Sequence, residues 1–363
     1  MPPKAGNFPP PTQITQDLWA PWRTQTLVAA VELDVFSQIA SGPKDASELA
    51  ASLSVSRHGL ERLLDGLVGM RYLKKHGEKY ELTPVASRYL VRGGELYMEE
   101  IPWNVRGLWQ IWSHLAQVVK AGQAPIAVDS ESRAREFFPA LVKHIFPTSF
   151  TAASAAVAAL SKPERSRINR ILDVAAGAAP WSIAFARAIP HARVTVIDFP
   201  EVAAIARVYA RRFGVADRFD YLEGNLRTLE LRDGGYDLVI LGQIVHSEGE
   251  ERGRQLISRA FSVLADNGML LIADFIPNDR RTGPVMPLLF GLNMLVQTEK
   301  GDVFTMSQYR HWLAAAGFKR VRTIAVPAPS PLLLAFKQAE RLRSGSKRSG
   351  QQNTVTARRS VRR

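Results

Sequence analysis

The chain of 363 residues contains no cysteine. This absence excludes a disulfide framework, a thiolate nucleophile and any zinc or iron–sulfur site with cysteine ligands. Long apolar runs are also missing, since none approaches the ~20 residues that a membrane-spanning helix needs. The first eleven residues are rich in proline and lack the apolar core of a secretory signal. We therefore expect a cytoplasmic protein with no membrane partner.

Acidic residues are fewer than basic ones, 34 against 47, which gives a net charge of +13. The excess is concentrated in residues 341–363, which hold eight Arg or Lys side chains and no acidic one. The same segment is rich in Ser, Gly, Gln and Thr, so we predict a disordered basic tail that aids solubility. Residues 1–15 are predicted to be disordered as well. The hydrophobic fraction of 46% is high enough for a sizeable core between these ends.

Residues 16–100 have the pattern of a mainly helical winged-helix domain. Apolar residues at helical spacing indicate a first helix, and an unbroken apolar stripe indicates a third. Asp45 and Glu48 have the spacing of a capping box and open a short second helix. Two strand patterns around a glycine turn then form the wing. The three helices and two strands are predicted over 24–40, 45–53, 60–68, 72–75 and 79–82.

The polar side of the third helix bears on nucleic-acid binding. It mixes Arg57 and Arg62 with Glu61 and Asp65. A helix that reads a DNA groove usually clusters Arg, Lys, Asn and Gln instead. We therefore favour a packing or dimerisation role for this domain over nucleic-acid binding.

Residues 101–160 are predicted to be linker helices that form a wall of a substrate pocket. Three tryptophans lie at helical spacing within 103–120, and a second helical stretch covers 137–159. Aromatic side chains suit a pocket wall, a subunit interface or a buried helix, and the pattern leaves these roles open.

Residues 161–340 alternate strands with helices, which is the pattern of βαβ units in a parallel, doubly wound α/β sheet. The last two strands are joined only by 327–331, a connection too short for a crossover, so an antiparallel hairpin is expected. The predicted architecture is a Rossmann-like seven-stranded sheet with a reversed terminal strand. Its strands are predicted over 170–174, 193–198, 219–223, 236–241, 269–275, 320–326 and 332–337.

A turn of small residues, Ala175 to Ala179, follows the first strand, and small residues let a ligand approach the backbone closely. Asp198 ends the second strand, 25 positions after Asp173. This is near the ~20-residue offset expected of an acid that hydrogen-bonds ribose hydroxyls. The turn has one glycine, Gly177, so a pyrophosphate would lack the backbone cradle of a G-x-G-x-x-G loop. The pattern favours a nucleoside ligand without phosphates.

Six short segments of the chain, taken together, are typical of one enzyme family. They are Ile171–Gly177, Val196–Pro200, Leu222–Asn225, Ile244–His246, Asn267–Asp274 and Ala314–Phe318. With them, this half resembles the class I S-adenosylmethionine (SAM)-dependent methyltransferases. Residues 20–340 as a whole resemble small-molecule O-methyltransferases of the caffeate type and their bacterial relatives, which have an N-terminal winged-helix dimerisation domain. The resemblance implies a homodimer, SAM as cofactor, and a small hydroxylated substrate of aromatic or polyketide-like character.

The resemblance also implies which residues form the site. His246 matches the general base that deprotonates the acceptor hydroxyl, and Asp274 matches an acid that orients this histidine. Asp198 matches the residue that binds the ribose hydroxyls, and Phe199 the one that packs on the adenine. We expect no metal, because no cluster of carboxylate or histidine ligands is evident. The other positions implied for the cofactor are Asp173, Ala175, Gly177, Asn225, Leu226, Gly242 and Gln243.

Four features of the chain depart from the family pattern. Ala179 stands where a third small residue is usually glycine, and Asn225 replaces an aspartate. Ser247 and Glu248 follow the base where the family often has Asp-Trp, and Val303 replaces a second acid shortly before Thr305. Two alternatives therefore stay open. One is a catalytically degenerate scaffold that binds SAM without transferring methyl groups, and the other is a winged-helix regulator that binds nucleic acid with help from the basic tail.

Overall fold

The computed structural model describes residues 9–124, 127–128, 131–229 and 234–338, without the side chains of residues 131 and 132. The predicted basic tail, 341–363, lies outside the described residues, as do the first eight residues of the N-terminal segment. Within the described ranges, no helix is both long enough and apolar enough to cross a membrane.

The N-terminal part is a helical domain with a small antiparallel sheet of three strands, and the predicted wing is present. Its core buries Phe36, Leu49, Leu64 and Tyr80. The expected capping box is formed, with the Asp45 carboxylate accepting from two backbone amides of the following helix. In chain order the elements are α1 (Thr12–Glu32), α2 (Val35–Ile39), β1 (Lys44–Asp45), α3 (Ala46–Leu53), α4 (Arg57–Gly69), β2 (Leu73–His76), β3 (Lys79–Leu82) and α5 (Pro84–Tyr89).

The first helix differs from the prediction in two ways. It begins at Thr12, inside the segment 1–15 that we expected to be disordered. Its last turns are buried in the domain core around Val28, and a helix that is nucleated there extends at little cost per residue. The predicted single helix over 24–40 is also divided in two, because Asp34 has a left-handed backbone conformation (φ 58°) between α1 and α2.

A seven-stranded sheet forms the centre of the C-terminal half, which confirms the predicted fold class. Its order is β6-β5-β4-β7-β8-β10-β9. The strands from β6 to β8 are parallel, and β10, the predicted reversed strand, is antiparallel to both β8 and β9. The strands are β4 (Arg170–Val174), β5 (Arg193–Asp198), β6 (Phe219–Glu223), β7 (Tyr236–Gly242), β8 (Leu264–Ala273), β9 (Arg320–Ile324) and β10 (Leu332–Phe336).

Helices cover both faces of this sheet. Alternate residues of β4 divide between two cores, with Ile171 in the first and Leu172 in the second. The direction in which strands are added reverses between β4 and β7, so a crevice opens beyond the carboxyl ends of these two strands. The helices are α6 (Ile101–Trp112), α7 (Leu115–Ala121), α8 (Glu131–Ala158), α9 (Lys162–Ser166), α10 (Pro180–Ala188), α11 (Pro200–Arg212), α12 (Val245–Val263), α13 (Val285–Gln297) and α14 (Met306–Ala316).

The fifth strand of the C-terminal half, β8, begins before the predicted range 269–275 and ends before Phe275. Its register against β7 is interrupted after the pair Tyr236–Leu264, and Asn267 has a left-handed conformation (φ 63°) within this irregular stretch. A bulge of this kind hides the alternating pattern of a strand. The strand ends at Ala273, so Asp274 is the first residue after it.

An exposed apolar stripe lies on the N-terminal half of α1. Ile14, Leu18, Trp19 and Trp22 are 52–68% exposed, and the two indole rings stack with centroids 5.4 Å apart. An apolar surface of this extent usually marks an interaction site. Because the family resemblance implies a homodimer, we expect a second copy of the chain to cover it.

The substitution Trp22→Asp should therefore convert the dimer into a monomer, because it places a charge inside the interface. Sedimentation velocity measures the change. The matched control is Val208→Asp, which alters an exposed apolar residue (54% exposed) on α11 and should leave the dimer intact. A dimeric Trp22→Asp protein would exclude this face of α1 as the interface.

Candidate active site

A cavity of about 830 Å³ opens at the carboxyl edge of the sheet. The ends of β4, β5, β7 and β8 and the segments after them form its floor, and α6, α8 and α13 contribute walls. Every predicted site residue except Asp173 lines this cavity. Aromatic rings of the walls belong to Trp103, Trp112, Phe137, Phe138, Phe275 and Phe290.

The turn after β4 has an alternating left-handed backbone. Ala175, Gly177 and Ala179 have φ values of 51°, 62° and 59°. A left-handed conformation costs roughly 1–2 kcal/mol for a residue with a Cβ atom, so two of the three positions are strained. A Cβ atom on Gly177 would also lie 3.1 Å from a side-chain carbon of Val142. Ala179 is fully buried beneath the cavity lining, so its methyl group does not occupy the cavity floor.

Asp198 connects this turn to the end of β5. Its Oδ2 atom accepts a hydrogen bond from the Gly177 amide, and its Oδ1 atom accepts one from the Phe199 amide, both at 2.8 Å. Burial raises the pKa of Asp198 to about 6, although the two amide donors oppose this shift. The carboxylate is therefore held at the cavity floor in a fixed orientation and is ionised at neutral pH.

Asp173 lies under the turn rather than in the cavity. Its Oδ2 atom accepts from the Ser182 amide at 3.2 Å, in the first turn of α10. The N-cap of that helix, Ala179, has no polar side chain, so Asp173 satisfies an amide that the cap residue leaves unpaired. Burial raises the pKa of Asp173 to about 7, and the nearby charge of Asp198 adds to the shift.

The end of β7 needs a glycine for reasons of space. A Cβ atom on Gly242 would lie 2.5 Å from Cδ1 of Trp181, which packs against it and lines the cavity. Gln243 follows with a left-handed backbone (φ 62°), and its amide donates to the Ala273 carbonyl at 2.8 Å. This bond ties the end of β7 to the end of β8.

Asn225 and Leu226 line the cavity after β6. The Asn225 Oδ1 atom accepts from the Arg227 amide at 2.9 Å, which is the geometry of an Asx-turn. Arg259 reaches this segment from α12 and donates to the Leu226 carbonyl at 3.0 Å. The segment is thus fixed by its own side chain and by the neighbouring helix.

His246 and Asp274 form a buried pair in the cavity wall. The imidazole Nδ1 atom donates to Asp274 Oδ1 at 2.6 Å, and the His246 amide donates to Oδ2 at 3.2 Å. The amide of Asp302 donates to the His246 carbonyl at 2.9 Å. Both backbone polar groups of His246 and one ring nitrogen are therefore held in place, and Nε2 is the ring nitrogen that makes no bond to Asp274.

Two phenylalanines enclose this histidine. Phe290 meets the imidazole edge-to-face with centroids 4.8 Å apart, and Phe275 does so at 6.1 Å. The two phenyl rings stack on each other with centroids 3.7 Å apart. The imidazole is thus confined by aromatic surfaces and is only 9% exposed at its side chain.

Two further side chains belong to the site and were not predicted from the sequence. Trp181, on α10, covers Gly242. Tyr309, on α14, donates from its hydroxyl to Asp274 Oδ2 at 2.6 Å. No local pattern signals this contact, because its two residues lie 35 positions apart and meet only when α14 packs on the sheet.

The described residues also bear on metal binding. Across these ranges, no group of three or more histidine and carboxylate side chains is close enough together to hold a metal ion.

Comparison with known proteins decides the family. A family model for the O-methyltransferase domain matches residues 133–319, and one for the O-methyltransferase dimerisation domain matches residues 20–92. The chain belongs to the O-methyltransferase family. The predicted resemblance is thereby confirmed, S-adenosyl-L-methionine is the cofactor, and the dimerisation domain supports a homodimer.

Individual relatives agree with this assignment. The chain is 30% identical over 328 residues to 3-hydroxy-5-methyl-1-naphthoate 3-O-methyltransferase of Streptomyces sahachiroi, covering 88% of this chain and 92% of the relative. A candidate O-methyltransferase of Nostoc punctiforme has a crystal structure with a TM-score of 0.77 at 27% identity, covering 91% of this chain and all of the other. Human N-acetylserotonin methyltransferase in complex with SAM shares the fold, with a TM-score of 0.77 at 24% identity over 93% of this chain and all of the other.

The substitution Asp173→Asn should flatten the dependence of stability on pH. Because the pKa of this carboxyl rises from 3.8 to about 7 on folding, its contribution to stability is fully present below pH 4. That contribution is lost as the pH rises to 7, by at most about 1.4 kcal/mol per pH unit. Asparagine does not ionise and keeps an acceptor for the Ser182 amide. The melting temperature of the variant relative to the native protein should therefore increase from pH 4 to pH 7 and then level off.

Thermal unfolding from pH 4 to pH 8 tests this expectation. Asp217→Asn is the matched control, because Asp217 is exposed and its substitution should give a constant difference in melting temperature. A difference for Asp173→Asn that does not change with pH would show that this carboxyl does not titrate in the stated range.

Proposed function

We propose that this enzyme transfers a methyl group from SAM to a hydroxyl group of a planar aromatic small molecule, with His246 as the general base. The observation that carries the proposal is the 2.6 Å hydrogen bond between His246 Nδ1 and Asp274 in the wall of the cavity. This bond favours the tautomer in which Nε2 accepts a proton. Bound SAM supplies a methyl group that is already activated by its positively charged sulfur.

The role of the protein is then to deprotonate and align the acceptor. A phenolic hydroxyl has a pKa near 10, so it is mostly protonated at neutral pH and is a weak nucleophile. His246 Nε2 takes this proton, and the Asp274 carboxylate stabilises the imidazolium that forms. The backbone bonds that hold His246 keep the ring from turning, and this orientation contributes to the rate.

The cavity floor has the features that SAM requires. Asp198 presents a fixed carboxylate for the two ribose hydroxyls, and Phe199 offers a ring face for the adenine. The open turn at Ala175 and Gly177 leaves space for the rest of the nucleoside. We assign Asn225, Leu226, Gly242 and Gln243 to the remaining border of the cofactor, as the family resemblance implies.

The walls favour a flat and largely apolar acceptor. Six aromatic rings from four parts of the chain belong to the walls of this cavity, and offset or edge-to-face packing on such rings selects planar molecules. The naphthoate O-methyltransferase from Streptomyces, whose name describes a fused-ring acceptor, supports the same class. We therefore infer a hydroxylated aromatic substrate, including aromatic polyketides.

The affinity for S-adenosylhomocysteine should decrease below pH 6. Only the ionised form of Asp198 accepts hydrogen bonds at both ribose hydroxyls, and its pKa is about 6. Because neither the amino nor the carboxyl group of the ligand titrates near this value, the dissociation constant should rise up to about tenfold per pH unit below 6. Isothermal titration calorimetry from pH 5 to pH 8 measures it. Asp198→Asn should bind more weakly and without this pH dependence, and native affinity in that variant would contradict the assignment.

The substitution His246→Ala should lower kcat by about 10²- to 10⁴-fold, because the acceptor hydroxyl loses its base. The deficit should shrink at high pH, where the hydroxyl ionises without help. The affinity for S-adenosylhomocysteine should stay within about twofold of the native value, since His246 is assigned no bond to the cofactor. Methyl transfer to a panel of hydroxylated naphthalenes and anthraquinones measures the rate, with His191→Ala, at an exposed loop position, as the control.

Two outcomes would contradict the proposal in different ways. Native turnover in His246→Ala would exclude this residue as the base. Tight binding of S-adenosylhomocysteine by the native protein, with no product from any member of the panel, would favour the catalytically degenerate scaffold.

A further inference from the structure

The carboxylate of Asp274 receives four hydrogen bonds from three parts of the chain. Oδ1 accepts from His246 Nδ1 at 2.6 Å and from the Phe275 amide at 2.7 Å. Oδ2 accepts from the Tyr309 hydroxyl at 2.6 Å and from the His246 amide at 3.2 Å. All four partners are donors to the same carboxyl group, which is the environment of an ionised acid.

Tyr309 provides the stronger of the two bonds to Oδ2. Without it, Oδ2 would retain only the long bond from the His246 amide. The Asp274 side chain is 1% exposed, so water does not replace a missing donor, and a buried anion that loses one is strongly destabilised. The carboxylate would then be free to rotate, and a rotation disturbs the bond between Oδ1 and the imidazole.

The phenol itself is held rigidly. Thr305 and Gln308 form a capping box that fixes the first turn of α14, and Tyr309 follows directly. Its ring meets the rings of Phe304 and Trp312 edge-to-face, with centroids 6.3 and 5.4 Å away. Burial, together with the negative charge of Asp274, raises the pKa of Tyr309 well above its ordinary value. The hydroxyl therefore stays protonated and acts only as a donor.

We propose that Tyr309 is a positioning residue that holds the Asp274 carboxylate in its orientation, so that the imidazole of His246 holds its proton on Nδ1 and presents Nε2 to the acceptor. Tyr309 does not line the cavity, so it acts through Asp274 and not on the substrate. This inference rests on the proposed role of His246 as base. The three titratable groups involved, on α12, after β8 and on α14, form one connected unit.

The substitution Tyr309→Phe removes one oxygen atom and keeps the ring. We expect kcat to fall about 10- to 100-fold, the usual effect of losing a hydrogen bond to a charged group. KM for the acceptor and the affinity for S-adenosylhomocysteine should change less than about twofold, because no binding contact is lost. The pH profile of kcat should change as well, because the bond between Asp274 and the imidazole of His246 is no longer held in the same geometry.

Tyr221→Phe is the matched control. The Tyr221 hydroxyl is also buried, and it has no hydrogen-bond partner among the described residues. Its removal deletes the same atom from a half-buried ring that does not line the cavity. Turnover, binding and pH profile should all stay native in this variant.

A double-mutant cycle tests whether the effect passes through Asp274. If it does, Tyr309→Phe should have no further effect on kcat in an Asp274→Asn background, where the carboxylate is already absent. Additive losses would overturn the proposal. An unchanged kcat and pH profile in Tyr309→Phe alone would overturn it as well.

Proton NMR of the native protein gives a readout that does not depend on turnover. The Nδ1 proton of His246 should resonate far downfield in native protein and in Tyr221→Phe, and it should shift or exchange faster in Tyr309→Phe. An unaltered Nδ1 proton in Tyr309→Phe would refute the proposal. If Tyr309→Phe does not fold, a Tyr309 hydroxyl proton that exchanges rapidly in native protein would refute it too. An active His246→Ala protein would exclude His246 as the base, but it would not change the NMR signal of the Nδ1 proton in the native protein. Failure of the proposed base and failure of the proposed role of Tyr309 can therefore be told apart.

Discussion

The buried carboxylate of Asp274 is the interaction on which the rest of the site depends. A charge removed from water must be compensated by hydrogen bonds, and here the donors come from α12, from α14 and from the backbone just after β8. These parts of the chain must therefore pack in one arrangement only. Two of these donors, the ring Nδ1 atom and the backbone amide, belong to His246. The bonds that compensate the buried carboxylate therefore also fix the histidine.

The cofactor end of the cavity is organised by a second pair of acids with different tasks. Asp198 at the end of β5 faces the cavity and holds the turn after β4 through the Gly177 amide. Asp173 is hidden below the same turn and caps α10. The turn between them includes two alanines in left-handed conformations, a strain that persists only where the surrounding structure fixes the backbone. Both acids supply that restraint.

The walls of the cavity and its floor are formed by different secondary-structure elements. Strand ends and the turns after them supply the polar groups that we assign to the cofactor and to proton transfer. The aromatic surfaces come largely from α6, α8 and α13, which lie outside the sheet. Substrate preference can therefore change through the walls while the chemistry at the sheet edge stays the same. The Phe275–Phe290 stack joins the two, because Phe275 follows Asp274 and Phe290 belongs to a wall helix.

The periodicity of the sequence determined the architecture, because strand and helix patterns depend on local spacing. It predicted the parallel sheet, the reversed β10, the wing and the capping box at Asp45, and the family motifs pointed to His246, Asp274 and Asp198. Tertiary structure alone decided where Asp173 and Tyr309 lie. The sequence pattern around Asp173 is the same whether its side chain faces the cavity or caps α10. Only the packing of α10 on the sheet decides between these two orientations. Tyr309 meets Asp274 across 35 positions, so the bond exists only after the sheet and α14 have come together.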